Sequence, residues 1–128
     1  MNCFVDTNVL VAVVTAEDGR AETAVAVLNE HETCTSVLNL MELRSVLSKK
    51  KRFERDRIEA IEDRIVDHAT ISVLDASDVL AANRLQRETY LYPMDALILA
   101  AAEAADATLV SFDAELREHG AKSPETVL

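Results

Sequence analysis

Only two glycines and two prolines punctuate the 128 residues, and no stretch is compositionally biased. With 49% apolar side chains, mostly Ala, Val and Leu, that scarcity excludes a disordered chain. No apolar run reaches the ~20 residues a membrane helix needs; the longest, Ala96 to Ala102, is far shorter. A strand pattern follows Met1 and Asn2 directly, without a basic region and apolar core before it, so no secretion signal is expected and the protein is placed in the cytoplasm. Cysteine is equally scarce. Cys3 and Cys34 fall in apolar, strand-like positions without metal-ligand spacing and are expected as buried free thiols of a reducing compartment. Positive charge is the remaining shortage: 13 Lys and Arg against 23 Asp and Glu give a formal net charge of -10. The mean field repels nucleic acid, so a polyanionic partner would require metal ions or a local basic patch.

What is present reads as one domain, 1–128, long enough to bury roughly two thirds of the surface its unfolded form exposes. Cys3-Phe4-Val5 is an uninterrupted apolar run, as in a strand covered on both faces. Val9 to Val14 continue as helix, Glu17-Asp18-Gly19-Arg20 reads as a break, and Ala24, Val25, Val27 and Leu28 recur at helical spacing. Thr33-Cys34-Thr35 is β-prone, and Ser36 is a natural N-cap for a helix to about Lys50. Ile58, Ile61, Ile65 and Val66 mark an amphipathic helix, and Ile71 to Leu74 a strand. The next helix, Ala76 to Glu88, is expected to bury Val79, Leu80, Ala82 and Leu85. Pro93 suits the first position of another, running to about Ala105. Thr108 to Ser111 is a strand, Ala114 to His119 a short helix stopped by Gly120, and Thr126-Val127 an expected last edge strand. Strands alternate with helices, so the fold class is α/β with a mainly parallel sheet between helical layers.

Four carboxylates stand in surroundings that are otherwise apolar or strand-terminal. Asp6 lies at the carboxyl end of the first strand, where ligands of open parallel sheets sit, although Asp6 or Asn8 capping the following helix is an equal reading. Glu42 shares a helix face with Leu38 and Val46, where an unpaired charge is costly. Asp95 begins the stripe that continues through Ile98, Leu99 and Ala102, and also sits in a first helical turn, where the dipole favours an acid. Asp113 follows a strand as Asp6 does, and is an N-cap candidate. If the sheet sets the two strand ends side by side, these acids would share protons or bind cations. Oxygen-only ligands favour Mg²⁺ or Mn²⁺ over zinc, and His31, His68 and His119 show no metal-ligand spacing. The one concentrated basic stretch, Lys49 to Arg57, partly sits at a helix C-terminus and reads first as a solvated face, with phosphate binding as the sharper alternative.

Three motifs, F-V-D-T-N at 4–8, N-L-M-E-L at 39–43, and P-M-D-A-L-I-L-A-A-A from 93 leading to T-L-V-S-F-D at 113, resemble the PIN-domain ribonucleases, especially the VapC toxins of VapBC toxin–antitoxin systems. Order, spacing and nearly the whole length agree. The resemblance implies an αβα sandwich on a five-stranded parallel sheet. It makes Asp6, Glu42, Asp95 and Asp113 an acidic quartet, with Thr7, Asn8 and Ser111 orienting the carboxylates. It further implies RNA phosphodiester hydrolysis assisted by one or two Mg²⁺ or Mn²⁺ ions held by Asp6, Asp95 and Asp113, with Glu42 completing the shell or positioning the nucleophile. A small VapB-like antitoxin whose peptide lies in a groove near the site, and a homodimer built on helices, are the implied partners. Phe112 departs from the pattern, standing where many relatives carry a polar residue. Rival readings are an RNA-processing nuclease that is not a toxin, a PIN fold kept only for binding, and a phosphoacceptor receiver domain. The last expects adjacent acids after the first strand, where this chain has Thr7-Asn8.

Overall fold

The computed structural model describes residues 1–16 and 19–128. The chain runs β1 (Asn2–Val5), α1 (Thr7–Thr15), α2 (Ala21–Glu30), β2 (Glu32–Ser36), α3 (Val37–Ser45), α4 (Arg55–His68), β3 (Thr70–Ser72), α5 (Ala76–Thr89), α6 (Pro93–Ala104), β4 (Thr108–Val110) and α7 (Ala114–Glu118). A π-helical turn, Val46–Lys50, extends α3, and a 3-10 turn, Pro124–Val127, lies at the C-terminal end. The four strands are parallel in the order β3-β2-β1-β4.

The uninterrupted apolar run of β1 is explained by its place inside this sheet, where both faces are covered. Cys3 and Val5 join Val110 beneath one helical layer, packed with Val9 and Leu10 of α1, Val27 of α2, Leu43 of α3 and Ile58 of α4. Phe4 points the other way with Cys34 and Leu109, toward α5 and α6. Helix α6 opens on Pro93 and buries Ala96 and every residue from Ile98 to Ala102. Its small side chains let it approach the sheet and α5 closely enough to be covered on most sides. The αβα sandwich is thus the expected one, and both cysteines are buried free thiols. Among the described residues no helix is long and apolar enough to cross a membrane.

From β1 the chain steps outward to β2 and β3 and then returns to place β4 on the other side of β1. The strand order therefore reverses between β1 and β4. A crevice opens there beyond the carboxyl ends of the strands.

Several expectations are corrected. In place of a last edge strand at Thr126-Val127 the chain turns in a 3-10 helix begun by Pro124, which has no N–H to give a ladder. What remains of a fifth strand is one parallel bridge, with the Ser111 N–H donating to Lys122 O at 3.0 Å and the Lys122 N–H to Leu109 O at 2.8 Å. On α5 the covered face runs through Asp78, Ala81, Ala82, Leu85 and Thr89, so Val79 and Leu80 are 51% and 59% exposed. Of the expected stripe, Ala82 and Leu85 are on the covered face and Val79 and Leu80 are not; the small Ala81 and Ala82 are what let α5 lie close to α6. Val66 of α4 is likewise exposed, and Glu62 takes the inward position, held by Arg44 at 3.0 and 2.6 Å. Strand β3 ends at Ser72 rather than Leu74. Of the break expected at 17–20, Glu17 and Asp18 lie outside the described residues, while Gly19 and Arg20 form a turn.

Candidate active site

Asp6 terminates β1 and starts α1. Its Oδ1 accepts the Thr7 N–H at 2.8 Å, so it is the helix cap, and its Oδ2 accepts the Ser111 hydroxyl at 2.8 Å. Capping and site membership coincide. Burial raises its pKa most, Glu42 and Asp113 add like-charge repulsion, and the bonds from Ser111 and Thr7 oppose both.

Ser111, fully buried at the end of β4, ties the two strand ends together. Besides donating to Asp6, its Oγ accepts from Asn8 Nδ2 at 3.1 Å and from the Asp113 N–H at 3.0 Å. Asn8 closes the same clip from its other end, Oδ1 accepting the Phe112 N–H at 3.1 Å. Asp113 also caps α7, Oδ1 accepting the Glu115 N–H at 2.9 Å. The β1 and β4 acids are therefore held by one network of directed bonds.

A second network brings in α3. Ser36 and Asn39 form a capping box: Ser36 Oγ accepts the Asn39 N–H at 3.2 Å, and Asn39 Oδ1 accepts the Ser36 N–H at 3.3 Å. Asn39 Nδ2 then donates to Thr7 Oγ1 at 3.0 Å, joining the start of α3 to the start of α1. One turn later α3 carries Glu42. Sequence reasoning had given Asn39 no role, though it lies inside the motif quoted above.

Asp6, Thr7, Asn8, Glu42, Asp95 and Asp113 line one cleft of about 320 Å³ at the β1–β4 crevice. Asp95, in the first turn of α6, has its pKa raised to about 6, first by burial and then by repulsion from Asp113, Asp6, Glu115 and Glu42. The four expected acids are thus brought together, and Ser111 stands behind them. The histidines are elsewhere: ring nitrogens of His31 and His68 meet the carbonyls of Val127 and Leu28. None of Lys49 to Arg57 lines the cleft. Arg20 does, with its guanidinium carbon 4.6 Å from the centroid of the Phe112 ring. The sequence had offered Arg20 only as part of a break.

Among the described residues no three His, Cys, Asp or Glu side chains are grouped to hold an ion as they stand. The donor chemistry nevertheless fits a hard divalent cation: carboxylates line the cleft, and repulsion from Asp113, Asp6, Glu115 and Glu42 adds to burial in holding the Asp95 proton.

The PIN domain family profile matches residues 3–122, a span that contains every residue of the cleft. Among solved structures, VapC20 of Mycobacterium tuberculosis, described as a toxin cleaving the sarcin–ricin loop, aligns with a TM-score of 0.78 at 21% identity over 94% of this chain and 96% of that one. A toxin–antitoxin complex from Klebsiella pneumoniae gives 0.74 at 21% identity over 95% and 97%. VapBC2 of Rickettsia felis, bound to a DNA fragment from its promoter, gives 0.72 at 22% over 93% and 92%. No curated protein sequence matches the chain.

Proposed function

The chain belongs to the PIN domain family, and on that premise we propose that it is a metal-dependent endoribonuclease, the toxin of a type II toxin–antitoxin pair. The observation that carries the reading is the convergence of Asp6, Glu42, Asp95 and Asp113 from four elements on one cleft at the topological switch point. The receiver-like alternative loses its footing with the family match.

Asp6, Asp95 and Asp113 are the residues that would hold Mg²⁺ or Mn²⁺. Such an ion supplies charge neutralisation at a phosphodiester and acidity to water. The chain's own part is preorganisation. Ser111 and the Thr7 amide fix both oxygens of Asp6, and Asn8 fixes the turn that carries Asp113. Asn39 sets the start of α3, from which Glu42 reaches the cleft to orient the attacking water and accept its proton. Cleavage of total RNA with and without Mg²⁺ by wild type and Asp6→Asn tests the reading. Activity only in wild type with metal is expected; metal-independent cleavage, or full cleavage by Asp6→Asn with Mn²⁺, refutes it.

For the partner, a second cavity of about 610 Å³ runs on the other side of α1, between α1, α2 and α4, with Leu10, Val14, Leu28, Ile61 and Ile65 in its lining. We assign this groove to an amphipathic antitoxin peptide. Support comes from its apolar lining and from neighbours described as a toxin–antitoxin complex and as VapBC2. The exposed Val79 and Leu80 of α5 support a homodimer, which sedimentation at micromolar concentration checks.

A further inference from the structure

Resting on the nuclease reading, one feature of the cleft calls for a role of its own. Arg20 is the one basic residue lining it, among the described residues, in company with four carboxylates. A guanidinium in such company ordinarily pairs with a carboxylate. Here it lies instead over the ring of Phe112, 4.6 Å from its centroid, and among the described residues it forms no ion pair with the cleft acids. The ring is well placed to hold it. Phe112 sits between Ser111 and Asp113, its N–H is fixed by Asn8 at 3.1 Å, and its side chain packs partly into the core beside α1. An aromatic face attracts the guanidinium without using its N–H donors, which remain free for a bidentate acceptor.

We propose that Arg20, seated on Phe112 at the acid cleft, binds a backbone phosphate of the RNA substrate, with Phe112 as the positioning residue that keeps the guanidinium away from the carboxylates. The arrangement answers the electrostatic difficulty of an acidic nuclease. A chain with net charge -10 gains no RNA affinity from its mean field, so a single directed cation beside the acids sets where the strand lies. Asp6, Asp95 and Asp113 stay available to the divalent ion because the aromatic ring, not a carboxylate, takes the arginine.

The test uses an RNA oligonucleotide of a cleaved sequence. Steady-state cleavage with Mg²⁺ is measured for wild type, Arg20→Ala, Arg20→Lys, Phe112→Leu and Phe112→Tyr, and salt-dependent binding of the same oligonucleotide by fluorescence anisotropy in an Asp6→Asn background. Arg20→Ala should raise KM and Kd about tenfold, the loss of one charge-assisted contact. Its kcat should change by no more than about threefold. The slope of log K against log salt should fall by about 0.7, the single-strand value for one phosphate. Phe112→Leu keeps an apolar side chain of similar size but no aromatic face, so it should reproduce Arg20→Ala and add nothing to it in the double variant; Phe112→Tyr should behave as wild type, and Arg20→Lys should lie between. Wild-type KM and salt slope in Arg20→Ala would overturn the proposal, as would additive losses in the double variant. If wild type cuts RNA and Asp6→Asn does not, those results bear on Arg20 alone; a wild type that neither cuts nor binds RNA removes the nuclease reading and the phosphate contact together.

Discussion

At the scale of single residues, Asp6 combines two jobs that substitution can separate. Asn keeps an oxygen acceptor for the Thr7 N–H and ranks with Asp as a helix cap, whereas Ala removes the cap at about 1 kcal/mol. Both changes remove the carboxylate charge from the cleft. Asp6→Asn and Asp6→Ala should therefore be equally inactive in RNA cleavage; both lose the acceptor for the Ser111 hydroxyl, and Asp6→Ala, which also loses the cap, melts below Asp6→Asn by about 3–5 °C. Asp95 offers a test by pH. Its carboxyl is raised to about 6 in the fold, so the native state holds the proton more tightly than the unfolded chain does. Stability from this group is fully present below about pH 4 and is lost as pH climbs through about 6. The loss is on the order of 1 kcal/mol once solvent screening of this partly exposed group is allowed for. Asp95→Asn has no such charge. In metal-free melts its Tm should match wild type near pH 4 and exceed it at pH 7 by about 3–5 °C, with added Mg²⁺ narrowing the gap by stabilising wild type. Parallel curves across that window would show that ionising Asp95 costs the fold nothing, against the burial and repulsion described for it.

At the scale of elements, the site depends on how strand ends and helix starts are joined. Ser111 Oγ serves Asp6, Asn8 and Asp113 at once. Ser111→Ala leaves the Asn8 amide and the Asp113 N–H without that acceptor, a cost of about 1–3 kcal/mol. The expected outcome is a lower midpoint in urea together with reduced cleavage, since both strand-end acids lose their common anchor; unchanged activity would show the acids to be held by backbone alone. These joints also mark where sequence reading succeeds. The apolar run of β1 ending on Asp6 was legible because a central parallel strand needs apolar residues on both faces, and the same logic located Asp113 after β4. Glu42 and Asp95 were legible as charges on faces otherwise committed to the core. Four elements were less so. The tail required knowing that Pro124 denies the sheet edge an N–H, and β3 ends two residues before its apolar pattern does. On α5 Ala82 and Leu85 face the core as expected, but the covered face turns toward the small Ala81 rather than Val79 and Leu80, and on α4 the inward place went to Glu62 because Arg44 of α3 meets it there. Arg20 and Asn39 were missed for a common reason. Their partners, Phe112 and Thr7, lie on other elements, so no local pattern announces the contact.

At the scale of the whole molecule, α1 divides two cavities. Val11, Ala12 and Thr15 line the acid cleft, and Leu10, Val13 and Val14 line the apolar groove on the far side. Helix α3 carries Glu42 to the cleft and pairs Arg44 with Glu62 of α4, whose Ala60, Ile61 and Arg64 line the groove. An antitoxin peptide laid in the groove would thus press on α1, which carries Thr7 and Asn8 of the site, without having to compete for the carboxylates. Val25 tests this assignment: it lines the groove from α2, is 37% exposed, and does not line the cleft. Val25→Glu places a charge against an apolar partner surface, where burial without a counter-charge is costly. Because the position is surface-accessible, the change should leave the melting temperature and Mg²⁺-dependent RNA cleavage near wild type. It should weaken inhibition by the cognate antitoxin by at least about tenfold, read as the concentration that halves cleavage. Inhibition equal to wild type would move the partner's binding surface away from α1, α2 and α4, while leaving the acid cleft and its chemistry as described.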